Sequence, residues 1–139
     1  MHLILGAEDN QLPRDIILIN DGFGNFSPAT NALPERYGGL TWGTVDIHVL
    51  DVNNDGYPDL LMSTFHGYTA CHLQLLINNR DGTFRDATQN IPQNWPKPTA
   101  EHIWITRIES GDFNNDGLID FVVNVNGRRP KLFLNAGDG

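Results

Sequence analysis

The sequence predicts an all-β protein assembled from a repeated unit of about four short antiparallel strands. Three observations predict it. The segment DVNNDGYPDLLMS from Asp51 returns without a gap as DFNNDGLIDFVVN from Asp112. A second marker, an apolar run ending in Asn and followed by an Asn/Asp/Gly turn, occurs three times: IILINDGFGNF from Ile16, LLINNRDGTF from Leu75 and LFLNAGDG from Leu132. No segment sustains the 3.6-residue apolar period of a helix. Internal repetition on this scale belongs to solenoids, propellers and arrays. A four-stranded unit matches one propeller blade, so the fold expected is a partial β-propeller of about two blade equivalents of four-stranded antiparallel sheets.

The elements follow in chain order. HLILGA from His2 aligns with DFVVNV from Asp120, which makes residues 1–30 the last three strands of a first blade (strands 2–4). Residues 42–88 read as a complete blade. Its first strand, TVDIHVL, sets Val45, Ile47 and Val49 on one face, as alternation in a half-buried strand requires. An acidic loop at 51–59 leads into LLMSTF, a continuous apolar run suited to a strand covered on both sides. LQLLIN, the turn at NNRDG and TFRDAT complete the unit, because Asn and Gly tolerate the positive φ of tight hairpins. Residues 103–139 start a partial third blade with a second acidic loop at 112–120. Propellers use roughly four to eight blades, and uncovered sheet edges invite pairing. The remaining blades of a larger propeller, or copies of the chain itself, are therefore expected partners.

Composition narrows the function. The 139 residues are 40% hydrophobic and 19% charged, a globular balance. The net charge of −8 repels a nucleic acid or an anionic surface, and Arg128, Arg129 and Lys131 are too small a basic cluster to reverse that. No apolar run has the roughly 20 residues that span a bilayer, and MHLILGA lacks the basic flank of a signal peptide. Neither nucleic acid nor membrane insertion is expected. The single cysteine, Cys71, excludes an internal disulfide and reads as a small, half-buried hydrophobe.

The acidic loops carry the chemistry. Positions 1, 3, 5 and 9 are Asp51, Asn53, Asp55 and Asp59 in one and Asp112, Asn114, Asp116 and Asp120 in the other, with the carbonyls of Tyr57 and Leu118 at position 7. Calcium takes six to eight such oxygens, whereas magnesium demands a tight octahedron and keeps its waters. Gly56 and Gly117 permit the reversal that brings the oxygens together. An EF-hand would need a glutamate at position 12 and flanking helices; Met62 and Val123 stand there, between strands. Asp, Asn and Gly also make plain turns, but two copies in one register, each with three mutually repelling carboxylates, favour Ca²⁺.

On these loops, on the trailing LINNRDGTF, LINDGFGNF and LNAGDG, and on their spacing, the chain resembles the FG-GAP/VCBS repeats of integrin-α-like β-propellers. The resemblance implies that the D-x-[DN]-x-D-G-x-x-D loop joins the first two strands of a blade around a structural calcium, giving metal roles to the eight side chains just named. It also implies an extracellular or cell-surface module for adhesion or partner binding. Phe23-Gly24 and Gly6-Ala7 are the only echoes of the family's Phe-Gly and Gly-Ala-Pro landmarks, which points to the VCBS branch of bacterial surface and secreted proteins.

Hairpins alternate between the ends of a blade, so the acidic loops share one face with the NNRDG turn. The connections 31–42, 65–72 and 89–104 share the other, and bring Tyr37, His66, Tyr68, His72, Trp95 and His102 to it. A rigid scaffold commonly recognises its ligand through such loops, here a protein or a glycan. Trp42 and Trp104 open strands and read as core. No G-x-S-x-G, H-E-x-x-H or glycine-rich phosphate loop is present, so catalysis is not expected. The alternative is a lectin-like or polysaccharide-acting propeller using this second face.

Overall fold

A computed structural model describes residues 2–5, 15–36, 43–66, 70–92 and 105–137. The chain forms three antiparallel sheets. The first is β1 (His2–Leu5), β2 (Ile16–Asn20) and β3 (Phe26–Ala29). The second is β4 (Gly43–Leu50), β5 (Asp59–His66), β6 (Ala70–Asn78) and β7 (Phe84–Asp86). The third is β8 (Ile105–Gly111), β9 (Asp120–Val125) and β10 (Lys131–Phe133). Strands are hydrogen-bonded in sequence order throughout. Among the described residues no α-helix occurs, and the one helical element is a single 3-10 turn, Thr88–Asn90. This is the partial propeller-like all-β fold that the repeats predict.

The repeats are copied in register as well as in sequence. Leu50 pairs with Asp59 at the head of the second sheet, and Gly111 pairs with Asp120 at the head of the third. Each first strand also skips one residue, between Thr44 and Asp46 and between Ile105 and Arg107. A bulge of this kind turns the side chains that follow it. It corrects the face read for Val45, which is 54% exposed; Val49 keeps the face of Ile47 but is 58% exposed, and of the three only Ile47 packs against the core.

The middle strand β5 is covered on both faces, as its unbroken apolar run requires. Leu60 and Met62 meet Ile17, Ala32, Leu33 and Leu76, which joins the first sheet to the second. Leu61 points the other way, into a larger cluster with Leu73, Ile105, Ile108, Phe121 and Val123 that joins the second sheet to the third. Phe121 and Phe133 stack within it at 4.7 Å. The segment leaving each outermost strand returns to the core, through buried Leu33 after β3 and buried Ile91 after β7. The Phe84 amide donates to the Ala32 carbonyl at 2.8 Å, tying the first such segment to the start of β7.

The seam between the first and second sheets also has a polar patch, which hydrophobic patterning did not anticipate. The Thr44 hydroxyl donates to Asp15 Oδ2 at 2.7 Å, and the Arg36 guanidinium stands 3.9 Å from Asp15 Oδ1 with both side chains buried. Buried charges persist when they are paired in this way.

Candidate functional site

Each acidic loop is wound around its first aspartate. Asp51 accepts the amides of Asp55 (3.0 Å) and Gly56 (2.8 Å) on its two oxygens, and Asp112 accepts those of Asp116 (3.1 Å) and Gly117 (2.8 Å). Asn53 Oδ1 accepts the Asp55 amide, and Asn114 Oδ1 the Asp116 amide. The second carboxylate caps the turn: Asp55 Oδ1 accepts the Tyr57 amide at 2.8 Å and Asp116 Oδ1 the Leu118 amide at 2.9 Å. The reversal takes two left-handed residues per loop. Gly56 and Gly117 have φ of 84° and 86°, and Asn54 and Asn115 have φ of 58° and 61°. Asn visits this region because its short amide bonds locally.

The ninth position plays a different part. Asp59 and Asp120 are wholly buried. Asp59 accepts the Val52 amide at 3.0 Å and the Asn78 amide at 2.8 Å; Asp120 accepts the Phe113 amide at 2.9 Å and the Asn135 amide at 2.8 Å. Each carboxylate thus pins the entry of its loop to the end of the strand two places further along the chain. The recurring Asn of the second sequence marker completes the pin. Asn78 Nδ2 donates to the Pro58 carbonyl, while Asn135 Nδ2 donates to the matching Ile119 carbonyl and, at 2.6 Å, to the Val52 carbonyl of the neighbouring loop.

The two loops also touch through Asn54 Nδ2, which donates to the Gly117 carbonyl at 3.3 Å. One face of the molecule therefore carries six carboxylates in two adjoining turns. Burial pushes the Asp59 carboxyl up; the Asn78 and Val52 amides pull it down, and the charges of Asp55 and Asp51 raise it. The Asp55 carboxyl is held low, chiefly by a hydrogen bond from Arg80.

The donor set suits a hard cation. Each ionised carboxylate offers about four lone-pair sites, and the amides named above take two on each of Asp51, Asp59, Asp112 and Asp120, leaving acceptor capacity on oxygens already gathered by the turn. Among the described residues no three His, Cys, Asp or Glu side chains as they stand enclose an ion, because these oxygens face the loop's own amides. An ion would engage their second lone pairs.

A comparison with family models matches an FG-GAP-like repeat over residues 3–62 and again over residues 65–123. The chain belongs to the FG-GAP-like repeat family. The comparison with curated proteins returned no match, and neither did that with solved structures. The first FG-GAP-like match runs from β1 of the first sheet into β5 of the second, and the other from the end of β5 into β9 of the third. One repeat thus contributes the outer strands of one sheet and the inner strands of the next, so neighbouring sheets are joined covalently as well as by packing.

At the opposite end, the strands reach further than the sequence suggests. Phe65 and His66 complete β5, and Ala70, Cys71 and His72 begin β6, so only residues 67–69 connect them. His72 is buried within β6 rather than carried on a loop, and His66 pairs with Ala70 through the backbone. Tyr37, Tyr68, Trp95 and His102, together with Trp42 and Trp104, lie outside the described residues. Arg80 was not anticipated as a site residue. The one signal for it was its place in the turn two residues after the marker Asn78.

Burial holds the His72 imidazole below its usual 6.5, against the opposing pull of Asp86. For a base depressed in the folded state, the stability contribution is complete above the unfolded value and is lost as pH falls below it toward the folded value. In EDTA, the urea midpoint is expected to drop between about pH 7.5 and about pH 5.5, and His72→Gln to flatten that slope. An equal slope in the variant would remove His72 as the cause.

Proposed function

We propose that this chain is a calcium-binding propeller-repeat module, with calcium in a structural role, that serves adhesion or partner binding outside the cell. The observation that carries the reading is the duplication of the acidic loop down to its individual hydrogen bonds. A turn needs one or two side-chain acceptors. Here each loop carries three carboxylates and a side-chain amide oxygen within nine residues, and a divalent ion would supply the charge that offsets their repulsion. Asp51, Asn53 and Asp55, with the Tyr57 carbonyl and Asp59, would hold one ion; Asp112, Asn114 and Asp116, with the Leu118 carbonyl and Asp120, the other.

Extracellular modules bind calcium with dissociation constants of about 10⁻⁴–10⁻³ M. An ion bound only by the folded chain stabilises it by about 2.7 kcal/mol per site at a hundredfold excess over that constant. Thermal unfolding is therefore expected to shift upward on adding calcium at tens of millimolar and to return in EDTA, with magnesium at the same concentration much less effective. Superimposable curves in calcium and EDTA would remove the structural role.

Partner binding is assigned to the end opposite the acidic loops, where His66 and His72 stand at the strand ends that frame the connection 67–69. A protein or glycan ligand is expected to lose affinity on Tyr68→Ala and Trp95→Ala, and undiminished binding by both variants would count against this face.

A further inference from the structure

The hydrogen bonds inside the two acidic loops match, but the side chains set against them differ. In the first, the turn after β6 brings Arg80 over the loop: its Nη2 donates to Asp55 Oδ2 at 2.9 Å and its Nε to the same oxygen at 3.3 Å. The guanidinium also lies 5.2 Å from the centre of the Tyr57 ring. In this pair the Asp55 side chain is 12% and the Arg80 side chain 55% exposed, so water screens the contact from the arginine's side. Among the described residues no such cation stands against the second loop. The Arg80 amide donates to Asn78 Oδ1 at 2.8 Å, and the Gly137 amide donates to Asn135 Oδ1 at 3.0 Å, which makes Gly137 the structural counterpart of Arg80. Leu118 likewise stands where Tyr57 does. Both turn residues are left-handed, with φ of 66° at Arg80 and 77° at Gly137.

We propose that Arg80 is an internal cation that competes with a divalent ion for loop 51–59, so that the two loops divide their roles: at low calcium the first is held by the chain's own guanidinium, whereas the second requires the ion. This rests on the calcium reading given above and refines it. Two Arg80 donors already occupy Asp55 Oδ2, one of the oxygens that a metal would need, in a charge-assisted contact. A fixed positive charge beside the same carboxylate also repels an incoming dication, by an amount that grows as the site is shielded from water. Tyr57 holds the planar guanidinium in place by its ring face, a support that Leu118 does not offer. Loop 51–59 is then expected to keep its shape at low calcium while loop 112–120 depends on the ion, and the contacts from Asn54 and Asn135 let the preset first loop brace the second.

The test is a calcium titration of the whole 139-residue chain, followed by ¹⁵N NMR with the Gly56 and Gly117 amides as one reporter per loop. In the unmodified chain Gly117 should shift at roughly tenfold lower calcium than Gly56. Arg80→Gln should move the Gly56 midpoint down until the two coincide, without displacing the Gly117 midpoint by more than about twofold. Arg80→Lys keeps the charge but loses the fork, so it should lie between. As the reciprocal variant, Gly137→Arg should weaken the Gly117 response. Coincident midpoints in the unmodified chain, or a Gly56 midpoint indifferent to Arg80→Gln, would overturn the division of roles and leave calcium binding standing. If neither amide moves up to tens of millimolar calcium, the calcium reading falls and this one with it.

Discussion

Asp59→Ala is expected to cost about 3 kcal/mol of folding stability, measured by urea denaturation in EDTA so that metal binding does not contribute. Two backbone amides, those of Val52 and Asn78, would lose their acceptor in one substitution. Hydrogen bonds to a charged acceptor contribute roughly 1.5–3 kcal/mol each, and an orphaned buried donor costs a comparable amount. Against a typical total of about 5–15 kcal/mol, that is a large fraction. Asp59→Asn keeps one acceptor oxygen and should recover about half of the loss. Asp120→Ala should match Asp59→Ala closely, since Phe113 and Asn135 stand in the same relation to it. A loss under about 1 kcal/mol for both alanine variants would mean that water replaces the carboxylate at no great cost, and the pin would then not hold the sheet heads together.

Leu73→Ala carries the other large effect. Leu73 is fully buried in the cluster shared by the second and third sheets, beside Leu61 and Val123. Truncation removes its transfer free energy and leaves a cavity that close-packed strands cannot collapse into, for a loss of about 2–5 kcal/mol. The denaturant slope should stay near that of the unmodified chain, because both sheets still unfold together. A markedly lower slope, or two separate transitions, would show that the sheets melt independently and that the repeats are not one cooperative unit.

These two variants probe different layers of the same arrangement. Apolar packing sets the sheets face to face, and the buried aspartates then lock the loop entries to the strand ends. The acidic turns sit on that framework, so Arg80 meets a geometry already prepared, as a bound ion would.

Much of this was legible beforehand because it is local. The strands of the second sheet are visible as short apolar runs between Asn/Gly turns. The two loops are visible because their oxygens recur at fixed spacing within a few residues, a pattern that glycine and asparagine can support only as a tight reversal. The marker asparagines were visible as a repeat, although their task was not: Asn135 reaches the Val52 carbonyl across a long stretch of chain. Alternation placed Val45 on the wrong face because a bulge shifts the side-chain parity, and no residue type in TVDIHVL announces one. His72 read as part of a connection because it closes the stretch FHGYTACH, which lacks a clear apolar alternation, whereas long pairing between β5 and β6 draws it into the sheet.

The amino-acid sequence by itself determined the all-β class, the repeated unit and the paired acidic turns, since each follows from periodicity and turn chemistry over a handful of neighbouring residues. Only the tertiary structure decided what those turns touch. The β5–β6 register carries Arg80 onto Asp55, and the stacking of the second sheet on the third brings Asn54 and Asn135 to the adjoining loop. Which side chain completes a charged site is set by distances between residues far apart in the chain, and those distances exist only once the sheets have packed.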